Sequence, residues 1–126
     1  VLVQGLFDVG ILRAAQHGSV TDALASKAYT PYYMHRTSHW LGLDVHDVGR
    51  YSEGGDPSAS RILRAGMVLT IEPGLYIRPA PDVPIEFQHI GIRIEDDALI
   101  TADGCEIYTS GAPVQVADIE RLMAAA

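Results

Sequence analysis

With 126 residues, 48% of them hydrophobic and 20% charged, the chain has the makeup of one globular domain long enough to bury a core. Its net charge of -7, with Lys27 as the only lysine beside eight arginines, argues against nucleic acid or anionic membrane as partners and favours small molecules or peptides. The single Cys105 excludes an intrachain disulfide and four-thiolate metal sites and fits a reducing, cytoplasmic setting, while no apolar run approaches the roughly 18 residues needed to cross a bilayer.

Val1 opens directly into a helical pattern, with neither the basic start nor the cleavage site of a signal peptide, so the chain is expected to begin inside a longer protein. Leu2, Leu6 and Val9 recur at helical spacing, Val3 and Phe7 widen the stripe, and Gly10 stops it. Residues 1–9 therefore read as an amphipathic helix. After Gly18, the run Ser19-Val20-Thr21-Asp22 is a capping arrangement for a short helix from Val20 to Lys27. Pro31 ends that helical region, because the residue before a proline is pushed toward extended backbone. Tyr32, Tyr33 and Met34 then run extended, the tyrosines as half-buried packing, into a stretch holding three of the five histidines: His35, His39 and His46. Residues 51–57 carry turn formers at almost every position and read as a surface loop.

From Met67 the pattern becomes strand-like. Met67 to Ile71 is an apolar run expected to be a buried strand, closed by a tight turn at Glu72-Pro73-Gly74. Residues 78–89 hold three prolines and no period, as a loop would. Ile90 to Glu95 alternates, placing Arg93 and Glu95 on one face of a single strand. Ala98 to Thr101 and Glu106 to Thr109 are two more strands around a turn at residues 102–104, and Val116 to Ala125 is a closing helix. Helices, then strands, then a helix make an α+β arrangement.

A metal that activates water at neutral pH needs imidazole or carboxylate ligands and an open coordination position. His39, Glu72 and Glu95 offer one nitrogen and two carboxylates, a set that suits a harder ion such as manganese, with zinc and cobalt as alternatives. Their spacing matches no short-range metal motif, and solvated glutamates at strand ends are the plain alternative. Spacing alone leaves His46, seven residues after His39, without a role. His17 and His89 are read as structural.

Three segments carry a more specific signal: Thr37-Ser38-His39-Trp40-Leu41-Gly42-Leu43-Asp44-Val45-His46-Asp47-Val48-Gly49 with His35 before it, Gly66 to Tyr76 around Thr70-Ile71-Glu72-Pro73-Gly74, and Gly91-Ile92-Arg93-Ile94-Glu95-Asp96-Asp97. In this order they resemble the catalytic half of the Xaa-Pro aminopeptidase (aminopeptidase P) family of pita-bread metallopeptidases. The resemblance implies the C-terminal half of that fold, an antiparallel sheet flanked by helices, with residues 1–126 as the C-terminal portion of a catalytic domain. It implies a hydrolase releasing an N-terminal residue that precedes proline, through attack of a metal-activated hydroxide on the Xaa-Pro bond. It also implies two divalent ions, usually manganese, with His39, Glu72 and Glu95 among the ligands. Glu72 further matches a proton shuttle, His35 and His46 match histidines that contact substrate and the tetrahedral intermediate, and Arg93 matches an arginine that pairs with a ligand carboxylate. The implied partner is a peptide with proline second; a homo-oligomer is left open.

Two departures follow from the same likeness. The family's remaining aspartate ligands have no match here: Asp44 and Asp47 match other motif positions, and Asp8 and Asp22 fall in expected helices. A complete centre therefore needs ligands from outside this chain. Arg36 stands where these enzymes commonly carry glycine, adding bulk and charge beside His35. A non-catalytic pita-bread relative, acting as a binding or scaffold domain, is the alternative reading.

Overall fold

In the computed structural model, which describes residues 1–125, the elements run α1 (Leu2–Asp8), α2 (Ala14–His17), α3 (Val20–Ala25), β1 (Val68–Ile71), β2 (Gly74–Ile77), β3 (Ile90–Arg93), β4 (Asp96–Ile100), β5 (Cys105–Ile107) and α4 (Val116–Ala124). The last position of the expected 1–126 domain, Ala126, lies outside the described residues. The chain divides into two compact units, one of Val1–His35 with Gly74–Arg93, the other of Arg36–Pro73 with the chain from Ile94 onward. The α+β class holds, with the antiparallel pairing shared between two sheets.

In the first unit the apolar stripe of α1 buries Val3 and Leu6. Gly10, at φ 76°, then turns the chain so that the Leu12 N–H reaches back to the Leu6 carbonyl at 2.9 Å. This conformation is one a side chain rarely adopts. Leu6, Leu12, Ala23, Tyr32, Ile77 and Val83 belong to one buried cluster, so the helices pack against β2. Burial, with the charge of Asp82 adding to it, pushes the Tyr32 phenol up from its ordinary pKa. The strand pair β2–β3 runs antiparallel from Gly74 opposite Arg93 to Ile77 opposite Ile90.

The cap of α3 forms as its sequence predicts. The Asp22 N–H donates to Ser19 Oγ at 3.2 Å, and the Ser19 N–H donates to Asp22 Oδ2 at 2.8 Å. We expect Ser19→Ala to lower stability by about 1 kcal/mol, read as a shift in the urea midpoint. The Ser19 hydroxyl and N–H hold the Asp22 carboxyl below the usual carboxylate range. Because the folded pKa is depressed, this contribution is present above the unfolded pKa and is lost as pH falls through the folded one. The difference between wild type and Ser19→Ala should accordingly shrink on acidification.

Pro31 does not end this helix. It stops at Ala25, where Lys27 takes a left-handed φ of 58° and the Ala28 N–H returns to the Ala23 carbonyl at 3.0 Å. That closure satisfies a terminal carbonyl well before the proline is reached.

In the second unit β1, β4 and β5 form an antiparallel sheet in the order β1-β4-β5. The run Met67 to Ile71 is less buried than its composition predicts: its one fully buried residue is Thr70, at 1% exposure, while Ile71 is 40% exposed. The expected strand Ile90 to Glu95 is also corrected. Its pairing with β2 ends at Arg93, and the next pairing, Ile71 with Asp96, belongs to β4 on β1. Ile94 and Glu95 are thus a joint between strands, as Glu72 and Pro73 are between β1 and β2. Arg93 and Glu95 therefore do not share a strand face. The helix α4 buries none of its residues within the described chain. Among the described residues no helix is long and apolar enough to cross a membrane.

Candidate metal centre

In the second unit the histidine stretch is pinned along β1. Trp40 bridges Leu69, the Thr70 N–H donates to the His39 carbonyl at 3.0 Å, and the Glu72 N–H donates to the Thr37 carbonyl at 2.7 Å. This short antiparallel run brings His39 level with the end of β1, where Glu72 begins the joint. His39 Nε2 lies 3.4 Å from Glu72 Oε1, with the two side chains 14% and 12% exposed.

Thr70 ties the pair together. Its hydroxyl accepts the His39 N–H at 3.1 Å and donates toward Glu72 Oε1 at 3.5 Å. His39 Nδ1 sits 2.9 Å from the Trp40 carbonyl. A carbonyl only accepts, so Nδ1 carries the proton and the Nε2 lone pair is left for a ligand.

Glu95, exposed in the other joint, completes the set: His39, Glu72 and Glu95 each offer an atom within 4.8 Å of the others. Metal–ligand bonds of about 2.0–2.2 Å hold ligand atoms at most about 4.4 Å apart. A small movement of the exposed Glu95 side chain closes the difference. An imidazole nitrogen and two carboxylates fit a divalent ion of intermediate to hard character.

His46 joins this group through a bend rather than a helix. The Gly42 N–H donates to the Asp44 carbonyl and the Asp47 N–H to the Trp40 carbonyl, at 3.2 and 3.0 Å, so the chain doubles back. The His46 ring then meets that of His39 edge-on, with centroids 4.4 Å apart. Gly42 leaves the space that the Asp47 carboxylate fills, and a Cβ there would require that carboxylate to move.

The first unit holds a separate cluster. His35 Nε2 is 3.0 Å from the Tyr76 hydroxyl, which also accepts from Arg93 Nε at 2.9 Å. Arg93 Nη2 lies 3.5 Å from His35 Nε2. The register explains the geometry: Gly74 faces Arg93 and Tyr76 faces Gly91, so all four share one face of the pair. The glycines leave the space that the larger side chains fill, and a Cβ on Gly74 would come within 2.8 Å of the Tyr76 hydroxyl.

Tyr76 and Thr70 are the two residues that sequence reasoning passes over. The signal for Tyr76 is its place two residues after Gly74, on the same side of β2. Nothing in the sequence singles out Thr70, which reads as one more strand residue. The described partners of Arg93 are Tyr76 and His35, beside the carboxylate pairing that the resemblance implies.

Residues 8–102 match metallopeptidase family M24. The whole chain is 50% identical to the Xaa-Pro aminopeptidase of Escherichia coli (strain K12), of which it covers 27%. Among solved structures, the aminopeptidase PepP of Pseudomonas aeruginosa aligns over 98% of this chain and 27% of its own, at 48% identity and a TM-score of 0.88. Aminopeptidase P from E. coli with the inhibitor Pro-Leu aligns over 98% of this chain and 26% of its own, at 50% identity and a TM-score of 0.84. The chain thus spans about a quarter of the length of the relatives it matches.

Proposed function

The chain belongs to metallopeptidase family M24, and on that premise we propose that it supplies part of the site of a peptidase that releases an N-terminal residue preceding proline. The observation that carries this reading is the convergence of His39, Glu72 and Glu95 on one small volume. These three residues would hold a divalent metal, with manganese favoured by the two carboxylates and zinc or cobalt as alternatives. Such an ion, when bound, supplies Lewis acidity toward a carbonyl oxygen and toward water. Residues 1–126 are the C-terminal portion of the catalytic domain, and a two-ion centre draws its further ligands from outside them.

Glu72 holds a proton and passes it to the leaving nitrogen, a role supported by the Thr70 hydroxyl and the fixed backbone N–H, which limit where its carboxylate can go. His46, packed on the His39 ring, offers an imidazole N–H to the oxygen on which charge develops. His35 contacts substrate, and Arg93 orients it through the shared Tyr76 hydroxyl. The exposed thiol of Cys105 is in keeping with a reducing, cytoplasmic setting.

The test is a manganese-dependent assay on Xaa-Pro and Xaa-Ala peptides, run with the 126-residue chain and with a longer chain carrying the sequence that precedes it. The expected result is release of the first residue from Xaa-Pro peptides by the longer chain and little turnover by the shorter one. Robust hydrolysis by the 126 residues alone would refute the need for outside ligands. No hydrolysis by either chain would favour a binding or scaffold role.

A further inference from the structure

Next to His39, on the second unit, a cavity of about 120 Å³ opens between Trp40, Tyr51 and two leucines. Its volume is well above the roughly 10–15 Å³ that a single water requires. Beside the aromatic pair, the polar residues that line it are Ser38, His39, Ser60 and Arg61, and no aspartate or glutamate lines it. The lining is mostly apolar and carries one fixed positive charge, inside a chain whose net charge is -7.

Arg61 lies with its guanidinium carbon 5.8 Å from the Trp40 ring, and its backbone N–H, donating to the Tyr51 carbonyl at 3.0 Å, fixes where the side chain starts. Tyr51 stacks on Trp40 at 5.6 Å and accepts the Trp40 backbone N–H through its hydroxyl at 3.2 Å. Arg36 adds a second guanidinium 5.8 Å from the Tyr51 ring. Two of the eight arginines thus flank a single aromatic pair. Among the described residues, no carboxylate pairs with Arg61.

We propose that this cavity binds a carboxylate of a peptide ligand, with Arg61 as the charged partner and Ser38 and Ser60 as neutral donors. The proposal rests on the reading of a peptide substrate and adds a preference to it: peptides bearing an acidic group are held more tightly than neutral ones. A guanidinium matches a carboxylate in charge and in fork geometry, and aromatic walls strengthen the pair by keeping water from one side.

Trp40 is the only tryptophan in the sequence and stands in the cavity wall, so its fluorescence reports occupancy without any need for turnover. Wild type, Arg61→Gln and Arg61→Lys would be titrated with Ala-Pro-Glu-amide, Ala-Pro-Gln-amide and Ala-Pro-Gln with a free C-terminus. Wild type should bind an acidic peptide at least about tenfold more tightly than the neutral amide. Arg61→Gln should abolish that difference and Arg61→Lys should keep part of it. Preference for the first peptide assigns the acidic side chain, and preference for the third assigns the terminal carboxylate. Equal binding of all three by wild type, or a preference that survives Arg61→Gln, overturns the proposal. Manganese-dependent cleavage by the longer chain without discrimination sinks the cavity alone, whereas discrimination with no cleavage by the longer chain upholds it and sinks the Xaa-Pro reading.

Discussion

Glu72→Gln is expected to reduce manganese-dependent hydrolysis by about 10²–10⁴-fold and to weaken manganese binding at least about tenfold. The amide keeps the size of the side chain and its hydrogen bond with Thr70, but it removes the negative charge and the site that accepts a proton. Both roles assigned to Glu72 therefore fail together. Its Oε1 stands 3.4 Å from His39 Nε2, and the side chain is only 12% exposed, so neither water nor another described carboxylate readily replaces it. Glu95 is the informative contrast. Exposed and set in the opposite joint, it is assigned only the part of a ligand, so Glu95→Gln should lower metal affinity more than it lowers the rate at saturating manganese. Calorimetric titration with manganese, set beside kcat at saturating metal, separates the two. If Glu72→Gln kept both the affinity and the rate of wild type, the role of Glu72 as ligand and proton carrier would be lost.

The convergence of His39, Glu72 and Glu95, the proposed metal ligands, is legible because their types, in this order, occur together in three motifs. What the motifs do not carry is the means of assembly. His39 meets Glu72 because residues 37–41 run beside β1, an arrangement fixed by backbone hydrogen bonds to which every residue contributes alike. Thr70 stays invisible for the same reason: its hydroxyl matters because it is buried at 1% exposure between His39 and Glu72, and strand composition does not encode that.

The alternation of Ile90, Ile92 and Ile94 persists past Arg93, yet the partner strand changes from β2 to β1 three residues later, at Asp96. Periodicity reports which way side chains point and is silent about which neighbour pairs, so one strand was read where a strand and a joint exist. The four residues of β2 were overlooked because Gly74-Leu75-Tyr76-Ile77 is too short to show a period and begins with a turn former. By contrast, the Ser19 cap and the Gly10 stop were read correctly, since both depend on local chemistry alone.

Leu6→Ala should destabilise the protein by about 2–5 kcal/mol, the range for emptying a well-packed core site. Leu6 is 0% exposed and belongs to the cluster that joins α1 to Leu12, Tyr32 and Ile77. With seven residues and no side-chain cap, α1 is too short to persist alone, so its docking through Leu6 is what keeps it helical. The loss should reach the His35 cluster along a defined path. Tyr32, in the same core, accepts the Tyr76 N–H at 2.9 Å, and Tyr76 holds both His35 and Arg93. Leu122→Ala serves as the control: that side chain is 56% exposed on α4, so its removal should change stability by less than about 0.5 kcal/mol. Urea unfolding of the two variants beside wild type gives the comparison. A loss at Leu6 no larger than at Leu122 would mean that α1 is not docked in solution, and the positioning of Tyr76 by this core would have to be abandoned with it.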